Sequence, residues 1–264
     1  MAETVRIDLH CHSSASDGDH SPAHVAKRLA GEGVTWASLT DHNTLEGQAE
    51  FRAALKRYAI SYIPGVEIDA RCEMGPLHIL GYGMDLENQA LSAVLETVRR
   101  PWRTFLRLFA ARVKGVFGRA PEGSSAPCLP GGSEPAASRP LTTATAICLI
   151  HDAGGKAFLA HPIESLRSFK RIEEALDLLQ QENLDGIEVF HKSYPEGIRA
   201  ALLALADRRG LVASGGSDFH GLNHSDGASL GVDVPIEQWA RIVRLVGKRS
   251  EPVPFPAPAD KATI

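Results

Sequence analysis

Apolar positions in this chain fall into short runs that alternate with longer amphipathic stretches. VRIDLH (5–10), WASLTDH (36–42), ISYIPGVEI (60–68), PLHILGYG (76–83), KAFLAHP (156–162), GIEVFH (186–191) and LVASGGSDFH (211–220) read as buried strands. Helical patterns fill 22–33, 44–58, 142–153, 168–181, 195–209 and about 237–247. The first has Ser21 placed as N-cap and Pro22 at the first helical position. This alternation predicts an α/β fold with a mainly parallel sheet and helical crossovers, closed into a barrel. Two stretches break the pattern. Residues 87–119 carry one long helical signal, and EGSSAPCLPGGSEPAASRP (122–140) has the Gly, Pro and Ser content of a loop. The expected organisation is a barrel built from 1–86 and 142–248, an insert over 87–141, and a proline-rich tail over 249–264 at the surface or disordered.

The polar residues gain meaning once placed on these strands. His10 and His12 close the first strand, Asp41 and His42 the second, and Glu67 lies near the end of the third. His78 lies within the fourth; His161, His191 and the pair Asp218 and His220 end the later ones. Side chains two apart on a strand share a face, so His10 and His12 reach one cation together. In parallel α/β folds the carboxyl ends of the strands form one face, where active sites are built. Imidazoles and carboxylates converging there suit Mn, Fe or Zn. A single histidine at a strand end more often caps a loop. His20, His24, His151 and His224 take that ordinary reading, and Cys11 is expected to pack.

Composition narrows the class. A chain of 264 residues fits one large α/β domain, and 44% apolar with 23% charged residues is ordinary for a globular protein. A net charge of -4 argues against a general nucleic-acid coat protein. No apolar run is long enough for a bilayer. Four cysteines without a CxxC pair, and no secretory signal, lead to an expectation of reduced thiols in the cytoplasm.

Taken in order, HxH, Asp, TDHN, GVE, His, AHP and GSDFH resemble the PHP (polymerase and histidinol phosphatase) superfamily, and above all its small bacterial phosphoesterases. The likeness covers 5–85 and 142–235. It implies a distorted, TIM-like (β/α)7 barrel with two or three divalent ions that hydrolyses a phosphoester through a metal-activated hydroxide. Carried over by residue, it implies one ion on His10, His12, Glu67 and Asp218, and a second on Asp17, His42 and His220. A third falls to His78 and His161, with Glu67 bridging. His191 becomes a group for the substrate phosphate or a proton donor to the leaving oxygen. Asp41 orients an imidazole or holds a turn. Gly215 and Gly216 allow close backbone approach to metals or phosphate, although for each alone ordinary turn or bulge geometry is the favoured reading.

The relatives that trim nucleotides carry a GRPH-like motif in their insert. RRPWRTFLRLFAARVKGVFGR (99–119) takes its place here and leaves the substrate open. Trp102, Phe105, Leu106, Phe109, Val113 and Val116 form an apolar helical stripe, and Arg99, Arg103 and Arg107 repeat every fourth residue beside it. That segment reads as a helix packed on the barrel with a basic solvated side, as a lid presenting arginines to a phosphate-rich substrate, or as a surface-binding helix. The leading expectation is a phosphoesterase acting on a phosphorylated small metabolite, a nucleotide such as a nucleoside 3′,5′-bisphosphate, or a short oligonucleotide, with no obligate protein partner. Histidinol-phosphate phosphatase and a non-catalytic metal-binding scaffold are the alternatives. Amidohydrolase chemistry is disfavoured because no lysine stands at a strand end.

Overall fold

The computed structural model describes residues 3–99, 141–221, 229–247 and 250–252. The strands are β1 (Thr4–Asp8), β2 (Trp36–Ala37), β3 (Ser61–Tyr62), β4 (Gly65–Cys72), β5 (Gly75–Tyr82), β6 (Leu141–Thr142), β7 (Lys156–Leu159), β8 (Gly186–His191), β9 (Val212–Gly216) and β10 (Val232–Pro235). The helices are α1 (Pro22–Gly31), α2 (Gln48–Arg57), α3 (residues 89–99), α4 (Thr143–Asp152), α5 (Pro162–Leu166), α6 (Phe169–Gln181), α7 (Glu196–Arg209) and α8 (Ile236–Val246). Their starts follow from the sequence. Ser21, Thr142 and Ser168 accept the backbone N–H three residues on, satisfying otherwise unpaired donors of α1, α4 and α6.

The strands form two sheets, β10-β1-β2-β3 and β6-β4-β5-β7-β8-β9. The sheets meet on both sides. β3 and β4 are two parts of one stave, interrupted at Ile63 and Pro64, and Asn43 N–H donates to Glu67 O at 2.8 Å across the join. On the other side Leu9 N–H donates to Gly215 O (3.1 Å), Asp218 N–H to His10 O (2.7 Å) and His12 N–H to Phe219 O (2.8 Å). The resulting ring runs β1, β2, β3–β4, β5, β7, β8, β9 and back to β1. This is the distorted seven-stave barrel expected, closed by single backbone bonds rather than by a full ladder.

One stave is reversed. The two-residue turn Glu73–Met74 folds β5 back on β4, and β5 is antiparallel to both β4 and β7. The site end of β5 is therefore its amino half, which is why His78 lies inside a strand and still pairs with Asp69. Asp8 seals the β1–β9 seam from within. It is fully buried and accepts from Ser217 Oγ (2.7 Å), Gly231 N–H (2.8 Å), Ser217 N–H (3.0 Å) and His10 N–H (3.3 Å). Burial pushes its carboxyl upward against the opposing pull of these bonds.

Apolar side chains of the staves (Ile7, Val66, Ile79, Phe158, Ile187, Ala213) pack with helix residues Leu176, Leu205 and Ile242 in the main core. A smaller core joins Val25 and Leu29 of α1 to Phe51 and Leu55 of α2. All six residues of β8 are buried, as befits a central strand covered on both faces.

Several boundaries depart from the sequence pattern. The β2 ladder covers two residues, and the rest of WASLTDH continues as extended chain bonded to the β1 side through Ser38 N–H to Asp8 O and Thr40 N–H to Cys11 O, both 2.9 Å. Helix α2 starts at Gln48 rather than residue 44 because a turn at Glu46 and Gly47 precedes it. β6, β10 and α5 were not expected. β6 pairs with β4 through Leu141, a residue assigned to the insert, and Thr142. Glu251, assigned to the tail, exchanges backbone hydrogen bonds with Tyr62 of β3. Of the segment 99–119 only Arg99 is among the described residues. Arg103, Arg107, the apolar stripe and the loop 122–140 lie outside them.

Candidate metal centre

Glu67 stands at the middle of the barrel mouth, fully buried. Its Oε1 lies 2.9 Å from His78 Nδ1 and 3.0 Å from His161 Nε2. Its Oε2 lies 3.1 Å from His12 Nε2, 3.2 Å from His10 Nε2 and 3.4 Å from His42 Nε2. Asp218 Oδ1 approaches the same two imidazoles, at 3.2 Å from His10 Nε2 and 3.1 Å from His12 Nε2. Asp17 reaches the other side of the group, 3.6 Å from His220 Nε2 and 3.8 Å from His42 Nε2.

These donors divide into overlapping sets whose ligand atoms all lie within 4.8 Å of one another: His10, His12, Glu67 and Asp218; His12, Asp17, His42 and His220; Glu67, His78 and His161. The structure thus brings together all nine residues expected as ligands, in nearly the expected groupings. His12 additionally lies within reach of the second set. His42, Asp69 and His78 make a further group, as do Glu164, His191 and Asp218.

The residues fit resident cations on three counts. His12 Nε2 and Asp218 Oδ1 are buried with no hydrogen-bond partner among the described residues, although they face each other at 3.1 Å. Ligand atoms about 2.1 Å from a shared ion stand about 3.0–3.4 Å apart, which is the spacing seen here. Three of the outer ring nitrogens are occupied: His10 Nδ1–H donates to Glu188 (3.0 Å), His42 Nδ1–H to Asp69 (2.8 Å) and His220 Nδ1–H to the Asp218 carbonyl (2.9 Å). Such partners fix the tautomer and leave Nε2 as a lone pair facing inward. The backbone is shaped to the same end. His161 (φ 23) and Asp218 (φ 54) hold left-handed conformations that cost non-glycine residues about 1–3 kcal/mol each.

Charge is strongly coupled. Burial opposes ionisation of Glu67, but the imidazoles of His42, His10 and His78 outweigh it and hold the carboxyl well below its usual range. Asp218 is held down in the same way by His10, His12 and His191. Burial disfavours a charged His10, yet Glu188, Asp218 and Glu67 raise it well above an ordinary histidine.

Glu188 and Asp69 were missed from sequence. Each looks like an ordinary acid in a strand, and only the packing of the staves, which brings the chain after β1 to Glu188 and the chain after β2 to Asp69, reveals its imidazole partner. Glu188 also accepts the His161 backbone N–H at 2.8 Å. Of the two roles expected for Asp41, the described residues show the holding of a turn. Asp41 accepts from Ser13 N–H and Oγ (both 2.7 Å) and Ser16 Oγ (2.6 Å), holding the loop that carries Asp17. At Gly216 a Cβ would lie 2.4 Å from His10 N, so the glycine admits the backbone that follows β1. His191 is buried beside the cluster, its Nε2 3.9 Å from Asp218 Oδ2. Cys11 is buried in the smaller core, and its Sγ donates to Ser38 O. His151 pairs with Asp185 at 2.7 Å, away from the centre, and His20 stacks on His24. Arg99 lines a cavity of about 230 Å³ at the mouth together with Asp17, His42, Asp69 and His78.

A seven-stave α/β barrel with imidazoles and carboxylates massed in its mouth defines the class of barrel proteins that hold a cluster of cations. Within it the chain belongs to the PHP family: residues 8–190 match the PHP domain model. A 3′,5′-nucleoside bisphosphate phosphatase of Chromobacterium violaceum is 31% identical over 249 residues, covering 82% of this chain and 87% of that protein. A 5′-3′ exoribonuclease of Escherichia coli is 30% identical over 250 residues, 82% of this chain and 85% of that protein. Among solved structures, an amidohydrolase from Chromobacterium violaceum with bound sulfate and no metal superposes with a TM-score of 0.72 at 26% identity, covering 93% of this chain and 98% of that one. Among the described residues no helix is long and apolar enough to cross a membrane.

Proposed function

We propose that this PHP-type phosphoester hydrolase removes a phosphoryl group from a nucleotide-like substrate, a nucleoside bisphosphate or the end of a short oligonucleotide. The observation that carries the reading is the ring of five imidazoles on the two oxygens of Glu67, an arrangement suited to two or three closely spaced cations. His10, His12, Glu67 and Asp218 would hold one; Asp17, His42 and His220 a second; His78 and His161, sharing Glu67, a third. When bound, such ions supply a water acidic enough to ionise near neutral pH and neutralise charge on the phosphoryl oxygens. Mn, Fe and Zn all suit this donor set.

The chain's own residues do the rest. Glu188 and Asp69 hold His10 and His42 in the productive tautomer. Asp41 holds the loop that presents Asp17. His191 is the proton donor to the leaving oxygen: its Nε2 is buried and faces the cluster with no hydrogen-bond partner among the described residues. Burial opposes its protonation, but Asp218, Glu188 and Glu164 outweigh that and raise it above an ordinary histidine, the direction a proton donor needs. The free thiols of Cys11, Cys72 and Cys148 suit work in the reducing cytoplasm.

The test is a turnover screen of metal-loaded protein against adenosine 3′,5′-bisphosphate, short RNA, histidinol phosphate and 4-nitrophenyl phosphate. Turnover of the nucleotide substrates above the other two supports the reading. Preference for histidinol phosphate overturns the substrate class, and bound metal with no turnover at all leaves a scaffold.

A further inference from the structure

His191 is three residues beyond Glu188, so on a regular strand the two side chains would face opposite ways. They do not. The register of β8 against β9 slips between Glu188 and Phe190, and such an irregularity re-aims the residues that follow it. Glu188 reaches His10 Nδ1, and His191 Nε2 faces Asp218. The His191 ring is then held from several sides. Tyr194 packs on it with ring centroids 4.7 Å apart, and the Tyr194 hydroxyl accepts the Ile163 N–H at 3.1 Å. Arg199 donates to the His191 carbonyl through Nε (3.2 Å) and Nη2 (2.9 Å).

The outer ring nitrogen has its own partners. His191 Nδ1 lies 2.8 Å from Ser193 Oγ, and Ser193 Oγ lies 2.9 Å from Oε1 of Glu164, a residue of α5. Ser193 has one hydroxyl proton, and a carboxylate can only accept, so that proton points to Glu164. The hydroxyl oxygen then turns a lone pair to Nδ1, and the 2.8 Å contact is favourable only when Nδ1 carries a hydrogen. A competitor stands beside it. The Ser193 backbone N–H is 3.3 Å from the same nitrogen and asks for a lone pair there. The carboxylate of Glu164 decides between the two.

We propose that Ser193 and Glu164 are positioning residues for the reaction: their hydrogen-bonded chain fixes a hydrogen on His191 Nδ1 and reserves Nε2 for proton delivery to the leaving oxygen. An imidazole ring can release a proton from Nε2 only when Nδ1 keeps its own, since otherwise it must become an imidazolate. As the P–O bond breaks, its electron pair passes to the leaving oxygen, which takes the Nε2 proton. The imidazolium becomes a neutral imidazole with its hydrogen on Nδ1, the form that the chain favours. Without Glu164 the Ser193 hydroxyl is free to turn its proton to Nδ1. Without Ser193 Oγ as well, the backbone N–H makes the same demand. In both cases the neutral ring carries its hydrogen on Nε2, where it cannot be given up. The inference rests on the phosphoesterase reading and adds to it the two residues that make His191 serviceable. Both are exposed, so the core does not depend on them.

The test compares wild type, Glu164→Ala and the double variant Glu164→Ala with Ser193→Ala. Long-range proton–nitrogen NMR spectra of the histidine rings, recorded on metal-free protein at alkaline pH and assigned with His191→Gln, report which nitrogen is protonated. Hydrogen on Nδ1 is expected in wild type and on Nε2 in both variants. On metal-loaded protein the second readout is the ratio of kcat/KM for 4-nitrophenyl phosphate, a good leaving group, to that for benzyl phosphate, a poor one. This ratio should rise about tenfold or more in the variants, because a misplaced proton forfeits part of the roughly 10²–10⁴-fold that a general acid contributes. Equal losses on both substrates, or a ring hydrogen that stays on Nδ1 in the variants, overturn this inference. So does a drop in metal content in Glu164→Ala, which would make Glu164, His191 and Asp218 a further cation site. Absence of turnover of both substrates by wild type overturns the phosphoesterase reading, while the ring spectra still decide where the chain places the hydrogen.

Discussion

Replacing Glu188 with glutamine isolates what the outer partners contribute. Glu188 is fully buried, with its oxygens 3.0 and 3.2 Å from His10 Nδ1 and one of them 2.8 Å from the His161 backbone nitrogen. Glutamine keeps the shape and one acceptor. With that oxygen retained by His161 N–H, the amide NH2 faces His10 Nδ1, which must then accept. The ring proton moves to Nε2, where it points at Glu67 and Asp218, 3.2 Å away in each case. One inward lone pair is lost while packing is unchanged. Loss of an outer partner of a ligating histidine costs about 10- to 100-fold in metal affinity, or about 1.4–2.8 kcal/mol. The assay is a competition titration against a chromophoric chelator, paired with thermal unfolding in EDTA. Glu188→Gln should bind metal more weakly and, metal-free, lose stability only where His10 is protonated, since the Glu188 charge is the largest holding that proton. Glu188→Ala should also unfold earlier, because each buried donor left unpaired costs about 1–3 kcal/mol. A correctly folded Glu188→Gln with wild-type metal affinity would refute the argument.

Three further outcomes are expected. His42→Ala should lower turnover by more than the roughly 100-fold that loss of an outer partner reaches, and should move the metal-free unfolding midpoint little above about pH 9, where the wild-type ring is neutral too; a turnover loss within that 100-fold would contradict its role as a ligand. Burial disfavours a charged His42, but Glu67 and Asp69 overcome this and push it up to about 9, so metal uptake at pH 7 should release protons, seen calorimetrically as a dependence on buffer ionisation heat, and affinity should grow until about pH 9. In the metal-free protein the same shift stabilises the fold fully below about 6.5 and is lost as the pH rises through about 9. Gly216→Ala should cost about 1–3 kcal/mol in urea unfolding and weaken metal binding, because its new Cβ meets the His10 backbone and displaces that ring; an unaltered protein would show that the β1–β9 seam is looser than its contacts imply.

The alternation of strands and helices, the inward pairing of His10 with His12, and the order of donors along the chain were all legible in the sequence. Each depends on local chemistry: a period of two on a strand, a period of 3.6 on a helix, a capping serine. What tertiary structure decided is everything that couples distant residues. His10 meets Glu188 across 178 positions, and no pattern within either strand announces that contact. Glu188 and Asp69 are indistinguishable in sequence from solvated acids, and which of its two expected roles Asp41 fills is seen only in its bonds to Ser13 and Ser16. The reversal of β5 and the sealing of β1 by Asp8 likewise exist only once the staves are side by side. Short-range patterns specify which way a side chain points from its own strand; what it points at is set by the register and closure of the barrel, and these are properties of the whole chain.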